Sequence, residues 1–280
     1  MFNWLLKHWI VGPYILTVFR PWITGMEHIP AKGPVIIAGN HLSFIDSVLM
    51  PLVVRRRVYF LAKSEYFTGR GIKGALIRWF FLASGQLPID RSGGKASEAS
   101  LESGLRVLAR GDVLGIYPEG TRSPDGKLYR GRTGIARMVI EGQVPVVPCV
   151  MIGTEQIMPT GTIVPKVGRV GIVFGEPLEF SRYYGLDTDR FVLRSVTDEI
   201  MYALARLSDQ EYVDVYASSA KAKRPAASRR WIARSSSATT TPAAACGRPA
   251  PTASTSRTSR ARTSRSSRRP SPARRSRRTA

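Results

Sequence analysis

A histidine and an aspartate, with four residues between them, lie at the junction of two apolar stretches. His41 and Asp46 follow residues 34–38, a run typical of a buried strand, and precede residues 48–52, which are typical of the opening of an apolar helix. On one regular helix, side chains five positions apart point about 140° away from each other, so a bent loop is needed to bring the carboxylate to the imidazole ring. In such a loop Asp46 would fix the tautomer of the ring and stabilise its protonated form, and His41 would act as a general base.

The same stretch also has a purely structural interpretation. Ser43 is a candidate N-cap for the helix that follows, and Asp46 would lie favourably in the first turn of that helix. His41 would then be an ordinary surface histidine. Because an isolated H-x4-D spacing is compatible with both interpretations, segments further along the chain must decide between them.

Three later segments carry charged residues or prolines at the ends of short apolar strands. They are residues 85–91 (GQLPIDR), residues 117–123 (YPEGTRS) and residues 144–150 (VPVVPCV). Together with N-H-x4-D at residues 40–46, and in this order, these blocks resemble the signature of the glycerolipid acyltransferase superfamily, and most of all that of the bacterial 1-acylglycerol-3-phosphate acyltransferases. The resemblance covers roughly residues 20–205, and the first and third blocks are its specific part.

The resemblance implies an enzyme that transfers a fatty acyl group from a thioester to the sn-2 hydroxyl of 1-acylglycerol-3-phosphate, giving phosphatidic acid for phospholipid synthesis. His41 would remove the proton of the hydroxyl, and Asp46 would orient and support the ring. Because the chain has no serine or cysteine in a G-x-S-x-G context, we expect direct transfer without an acyl-enzyme. No cofactor or metal is implied. The co-substrate is acyl-CoA or an acyl carrier protein thioester, and the sequence does not choose between them.

An acceptor that carries a phosphate needs cationic side chains in its binding site. By resemblance, the third block binds the glycerol phosphate through Glu119, Gly120, Thr121 and Arg122. The planar guanidinium of Arg122 can hold a phosphate with two parallel hydrogen bonds. The structural alternative is that Arg122 forms a salt bridge with Glu119 or Asp125.

Two further cations stand at predicted strand ends. Arg91 closes the second block and is a second candidate for the phosphate, although a structural pair with Asp90 explains it nearly as well. Lys63 follows a predicted strand at a position that a phosphate site could use. The alternative for Lys63 is a lysine that is simply solvated.

The alternation of strands and helices predicts an α/β domain over residues 25–210. The resemblance implies that this domain holds a mixed β-sheet flanked by helices. Helices are predicted at residues 71–82, 95–110, 133–140 and 187–207. Strands are predicted at residues 58–62, 86–90, 113–117 and 144–152, with one or two more within residues 166–178. This alternation agrees with the fold that the resemblance implies.

Residues 1–24 are rich in apolar residues and contain the tryptophans Trp4, Trp9 and Trp22. The longest uncharged apolar stretch is about half of the roughly 20 residues that a spanning helix needs. We therefore predict an interfacial helical segment that lies on the membrane, and a peripheral or monotopic protein at the cytoplasmic face. The alternative is a core helix with a kink at Pro13.

The positive charge is concentrated in the last part of the chain. Of 42 Lys plus Arg in the sequence, 17 lie at or after residue 221, whereas all 20 acidic residues lie at or before Asp214. Residues 218–280 are rich in Arg, Ser, Pro and Ala, so we predict that they are disordered. A basic tail could bind anionic lipid or nucleic acid, or it could have no evolved role.

Two other classes of function compete with the acyltransferase of lysophosphatidic acid. One is an acyltransferase of the same superfamily that acts on the hydroxyl of another lipid or glycolipid. The other is a non-catalytic basic protein that binds membranes or nucleic acid through its tail. Because the rest of the chain is only mildly basic, we expect membrane lipids and the acyl donor as partners, and no nucleic acid.

Overall fold

The computed structural model describes residues 12–63, 67–69, 71–83, 85–89, 96–159, 162 and 164–223. Within these residues the strands are β1 (Trp22–Thr24), β2 (Val35–Gly39), β3 (Val58–Lys63), β4 (Gln86–Ile89), β5 (Val113–Ile116), β6 (Leu128–Tyr129), β7 (Val146–Ile152), β8 (Gly171–Phe174) and β9 (Tyr212–Val213). The α-helices are α1 (Gly12–Phe19), α2 (Asp46–Val53), α3 (Gly71–Ala83), α4 (Ala96–Ala109), α5 (Gly134–Gly142), α6 (Thr154–Ile157), α7 (Arg190–Ser208) and α8 (Ala217–Lys223).

Seven strands form one mixed sheet in the order β1-β8-β7-β2-β5-β3-β4. The five strands from β7 to β4 are parallel to their neighbours, whereas β8 runs antiparallel to β7 and β1 runs parallel to β8. The predicted mixed sheet flanked by helices is therefore confirmed. Of the residues predicted as further strands between 166 and 178, only Gly171–Phe174 form one.

Strand β2 is at the centre of the sheet and is buried on both faces. Ile36 and Ala38 belong to the apolar cluster under α4, α5 and α7, while Val35 and Ile37 belong to the cluster under α1 and α2. A strand covered on both sides reads as a continuous apolar run, which is the pattern of these residues in the sequence.

The register of the parallel strands brings two corners of the chain together. Ala38 of β2 lies opposite Ile116 of β5, so both strands end at the same edge of the sheet. The chain that leaves β2 carries His41, and the chain that leaves β5 carries the YPEGTRS block. Two segments almost 80 residues apart therefore become neighbours.

The amino-terminal prediction needs a correction. Residues 1–11 lie outside the described residues, but α1 places Ile15 and Phe19 in the core, and the residues from Trp22 to Thr24 form an edge strand rather than part of an interfacial helix. Trp22 pairs with Gly171, and its ring lies where a Cβ at that position would be. Pairing with β8, which is distant in the sequence, overrides the local helical pattern. In the described part of the chain no helix has the length and apolarity to cross a membrane.

The prediction that disorder begins at residue 218 is also wrong, because ordered structure continues to Lys223. Strand β9 pairs in parallel with β6, and α8 follows it with Ala217 fully buried. The small sheet of β6 and β9 brings this segment next to the YPEGTRS block. Tertiary contacts stabilise its helix, which has seven residues and would be marginal by itself. Residues 224–280, the rest of the predicted tail, lie outside the described residues.

Candidate active site

The loop after β2 is held by a side chain that replaces backbone pairing. Asn40 is fully buried. Its Nδ2 donates to the carbonyl of Met151 at 3.1 Å, and its Oδ1 accepts from the amide of Met151 at 2.8 Å. These two bonds continue the pairing of β2 with β7 by one residue while the backbone of Asn40 turns away. His41 therefore leaves the sheet at a fixed point.

His41 and Asp46 form the predicted pair. The Nδ1 of His41 lies 3.0 Å from Oδ2 of Asp46, and the Asp46 side chain has no exposed surface. The same oxygen accepts from the amides of Leu42 at 2.8 Å and Ser43 at 2.7 Å. The carboxylate thus bends the loop back onto the ring. Nδ1 carries the proton and donates a hydrogen bond to Asp46, which leaves Nε2 unprotonated and able to accept a proton.

The expectation that Ser43 caps the helix is wrong. Helix α2 begins at Asp46 with Ile45 at the N-cap position, and the hydroxyl of Ser43 donates to the carbonyl of Met158 at 2.7 Å. The negative charge of Asp46 does lie in the first turn, where it is favoured by the free amides of the helix. The position of Asp46 is therefore compatible with both its structural and its catalytic interpretation.

Tyr117 packs against the face of the His41 ring, a contact that the sequence analysis did not predict. The two rings are stacked, with centroids 4.0 Å apart and an angle of 10° between their planes. The hydroxyl of Ser47 donates to that of Tyr117 at 3.3 Å. Burial raises the pKa of Tyr117 well above its usual value, so the phenol stays neutral. Stacking on a neutral, fixed ring leaves His41 few orientations.

The YPEGTRS block turns sharply beneath His41. The amide of Gly120 donates to the carbonyl of Tyr117 at 2.9 Å, and Gly120 has a φ of +72° that glycine alone adopts readily. The amide of Ser123 donates to the carbonyl of His41 at 2.7 Å. The two blocks are therefore joined by a backbone hydrogen bond.

Glu119 does not have the role expected of it. It is 1% exposed, and its two oxygens accept from the amides of His41 at 3.3 Å and Tyr129 at 3.0 Å. Burial raises the pKa of Glu119 to about 7, although the two backbone hydrogen bonds oppose this shift. Glu119 is absent from the cavity lining. We therefore correct the interpretation of Glu119 from a substrate contact to a positioning residue for the His41 loop.

The remaining residues of the block do reach the cavity. Gly120, Thr121 and Arg122 line it together with His41. Within the described ranges Arg122 forms no salt bridge with a carboxylate, so the proposed pairs with Glu119 and Asp125 are not present.

Arg132 is a cavity cation that the sequence interpretation missed. It lines the same cavity, and a Cβ on Gly120 would lie 2.9 Å from its Nε. The glycine therefore leaves room for the guanidinium. The signal available in the sequence is an arginine that follows the YPEGTRS block, between Gly131 and Thr133.

Lys63 and Arg91 stay predictions. Lys63 is the last residue of β3 and so lies at the same edge of the sheet as the His41 loop. Asp90 and Arg91 lie outside the described residues.

The cavity has a volume of about 410 Å³, and its lining residues are of two chemical kinds. The polar and cationic ones include His41, Thr121, Arg122 and Arg132. The apolar ones include Phe44, Val48, Phe60, Phe81, Ile135 and Met138. A base, two guanidinium groups and an apolar surface thus open on one space, which suits an amphiphilic molecule with an anionic group near a hydroxyl.

Comparison with known proteins agrees with this geometry. The family model described as Acyltransferase matches residues 20–152. The chain is 30% identical over 154 residues to the 1-acyl-sn-glycerol-3-phosphate acyltransferase of Bacillus subtilis (strain 168), a match that covers 54% of this chain and 70% of that protein. It is 29% identical over 162 residues to the chloroplastic LPAT1 1-acyl-sn-glycerol-3-phosphate acyltransferase of Arabidopsis thaliana, covering 57% of this chain and 44% of the relative.

The fold also has a solved counterpart. The crystal structure of the 1-acyl-sn-glycerophosphate (LPA) acyltransferase PlsC from Thermotoga maritima aligns with a TM-score of 0.56 and 24% identity, over 73% of this chain and 79% of that one. The chain spans less than half of the length of the plant relatives from Arabidopsis thaliana and Brassica napus. The match to the Bacillus subtilis protein covers most of that relative, and the family model spans the segments that carry His41, Asp46 and Arg122. The chain therefore belongs to the acyltransferase family.

Proposed function

We propose that the protein transfers a fatty acyl group from acyl-CoA or acyl carrier protein to the sn-2 hydroxyl of 1-acylglycerol-3-phosphate, which yields phosphatidic acid. The observation that carries the proposal is the shared cavity of the His41–Asp46 pair and the guanidinium groups of Arg122 and Arg132. A base beside two cations suits an acceptor whose hydroxyl is close to a phosphate. The names of the relatives support the same acceptor.

The reaction follows from the position of the base. Nε2 of His41 takes the proton of the acceptor hydroxyl as its oxygen attacks the thioester carbonyl, so the C–O bond forms and the carbonyl becomes an oxyanion. When the C–S bond breaks, the imidazolium returns the proton to the leaving thiolate. Asp46 holds Nδ1 and stabilises the imidazolium between these two events.

The apolar lining of the cavity offers a place for a hydrocarbon chain. Phe44 and Phe81 meet edge to face with ring centroids 6.3 Å apart, and both line the cavity. Burial of an apolar chain contributes about 25 cal/mol per Å² of surface removed from water. Such a surface would favour long-chain over short-chain substrates.

The proposal is tested by incubating the purified protein with acyl-CoA and a panel of lysolipids and alcohols while thiol release and lipid products are followed. We expect turnover with 1-acylglycerol-3-phosphate and its loss by about 10²–10⁴-fold in His41→Ala. Turnover only with an acceptor that lacks phosphate would favour another acyltransferase of the superfamily. Wild-type turnover in a folded His41→Ala protein would refute the mechanism.

The non-catalytic alternative has its own test. It predicts that the function depends on the basic tail, whereas the enzyme predicts that removal of residues 224–280 leaves turnover largely intact. The deletion begins at residue 224 because α8 extends to Lys223.

We also propose that the protein is attached peripherally to the cytoplasmic face of the membrane. Support comes from apolar side chains in the solvent: Ile72 and Trp79 on α3, which are 90% and 38% exposed, and Leu16 on α1, which is 50% exposed. Helix α3 also contributes Phe81 to the cavity lining. Co-sedimentation with anionic liposomes should retain Ile72→Ser/Trp79→Ser less well than the wild type. Equal retention would refute a contact through α3, and loss only on removal of residues 224–280 would assign the membrane contact to the tail.

A further inference from the structure

Helix α8 contacts the YPEGTRS block through the side chain of Lys221. Nζ of Lys221 donates to Oγ1 of Thr121 at 2.7 Å, although the two residues are 100 positions apart in the sequence. Thr121 lines the cavity, and the side chain of Lys221 that contacts Thr121 is half-buried. A lysine from the carboxyl-terminal segment thus reaches the wall of the cavity beside Arg122.

The segment that carries Lys221 is anchored by the residues that precede it. Ala217 is fully buried, and the hydroxyl of Ser218 accepts from a terminal nitrogen of Arg132 at 3.2 Å. The guanidinium of Arg132 also lies over the ring of Tyr216, 5.3 Å from its centroid. The same seven-residue helix therefore places Lys221 and holds Arg132, so these two cations are positioned as one unit.

The charges in this region are unbalanced. Arg122 and Arg132 line the cavity, and Lys221 is bonded to Thr121 of the cavity wall, so three positive groups are close together. Burial and the nearby Arg122 both lower the pKa of Lys221, while Glu119 raises it. The oxygens of Glu119 already accept from two backbone amides. An anion in the cavity would relieve the repulsion between the cations, and a phosphate monoester carries up to two negative charges.

We propose that Lys221 binds the phosphate of the acceptor together with Arg122 and Arg132, so that the carboxyl-terminal helix is part of the acceptor site. The proposal rests on the function proposed above. It extends the site beyond residues 20–152, which the family model matches. Its structural competitor is that Lys221 only fastens α8 to Thr121.

Two variants of Lys221 separate these possibilities. Lys221→Met keeps the aliphatic stem and removes the charge, and Lys221→Arg keeps the charge. Lys32→Met is the matched control, because Lys32 is an exposed lysine before β2, at the opposite edge of the sheet from His41. All variants are made in the full-length protein, and circular dichroism with thermal unfolding verifies that each is folded.

The kinetic measurement compares KM for 1-acylglycerol-3-phosphate with KM for acyl-CoA, which also carries phosphates. A hydrogen bond to a charged group corresponds to about tenfold to hundredfold in affinity. We expect Lys221→Met to raise the acceptor KM by about that factor with acyl-CoA KM and kcat little changed, Lys221→Arg to recover part of it, and Lys32→Met to behave as the wild type. An unchanged acceptor KM, an equal rise in both KM values, or a loss of kcat alone would overturn the proposal.

A binding measurement keeps this proposal distinct from the function proposed above. Calorimetric titration of the full-length protein with sn-glycerol 3-phosphate should give a weaker affinity for Lys221→Met than for Lys32→Met, whatever acceptor the enzyme acylates. Wild-type protein that binds this probe but does not acylate 1-acylglycerol-3-phosphate would refute the proposed acceptor and keep the phosphate site. Equal affinity of the two variants would refute the role of Lys221 even if the enzyme acylates that acceptor.

Discussion

Asp46→Asn separates the charge of the carboxylate from its hydrogen bonds. Oδ2 of Asp46 accepts from Nδ1 of His41 and from the amides of Leu42 and Ser43. An asparagine oxygen in the same place faces the same three donors, but it is uncharged and has two lone pairs, so these hydrogen bonds weaken without all being lost. We therefore expect the loop to keep its shape. What is lost is the negative charge that stabilises the imidazolium while the proton is held on Nε2.

The size of this loss can be worked from the geometry. Nδ1 and Oδ2 are 3.0 Å apart, and Asp46 is fully buried while His41 is 15% exposed. With charge centres about 4 Å apart and an effective dielectric constant of about 20, the attraction is about 4 kcal/mol. Because each 1.36 kcal/mol in the barrier is tenfold in rate, we expect kcat to fall by about 10³-fold.

The assay is thioester turnover at saturating acceptor, with Asp112→Asn as the control for loss of a carboxylate. Asp112 pairs with Arg110 in the chain that leads into β5, away from the cavity. The acceptor KM of Asp46→Asn should stay near that of the wild type, since the phosphate contacts are unchanged. Asp46→Ala should in addition lower the free energy of unfolding, because three donors lose their acceptor.

A loss of less than about tenfold in a folded Asp46→Asn protein would show that the charge is not used in the reaction. Asp46 would then serve only to shape the loop. A loss of kcat together with unfolding would leave the charge argument without support, which is why thermal unfolding is measured on the same preparations.

Three further predictions concern the YPEGTRS block. Arg122→Ala should raise the acceptor KM by about tenfold to hundredfold without a comparable change in the acyl-CoA KM, and Arg122→Lys should recover only part of it, because a point charge does not reproduce the planar fork; equal shifts of both KM values would make Arg122 structural. Folding raises the pKa of Glu119 from 4.5 to about 7. As the pH rises, the unfolded state therefore releases this proton before the folded state does. At about 1.4 kcal/mol per pKa unit, the free energy of unfolding of the wild type should fall by about 3 kcal/mol relative to that of Glu119→Gln between pH 4.5 and about pH 8. Urea unfolding at several pH values measures this difference, and a constant difference would contradict the raised pKa of Glu119. Gly120→Ala should cost about 1–2 kcal/mol in urea unfolding and raise the acceptor KM, because its φ is +72° and a Cβ would lie 2.9 Å from Nε of Arg132; an unchanged KM would show that Arg132 does not need this space.

Much of the fold could be predicted because the central strands carry their own signal. The run that becomes β2 is apolar at every position, as a strand covered on both faces must be. Helix α7 was expected at residues 187–207 and lies at Arg190–Ser208, since its apolar residues recur with helical spacing. Strand β1 was missed because its three residues gain their structure from pairing with β8, which the local sequence does not encode.

The dyad of the site could be predicted, and its supports could not. His41 and Asp46 are close in sequence, so their spacing alone restricts the geometry. Tyr117 acts through a stacked ring and Lys221 through a bond to Thr121 one hundred residues away. Neither contact has a local pattern, and the composition around Lys221 resembles that of the basic tail.

The YPEGTRS block also shows why residues of one motif should not be given one role. The buried Glu119 accepts hydrogen bonds from the amides of His41 and Tyr129, while Arg122 lines the cavity. Between them, Gly120 turns the chain and leaves room for Arg132. The block therefore couples the two halves of the reaction, because the carboxylate that positions the base and the cation that would hold the acceptor are three residues apart on one rigid turn. A substitution of Glu119 should accordingly change kcat, and a substitution of Arg122 should change the acceptor KM.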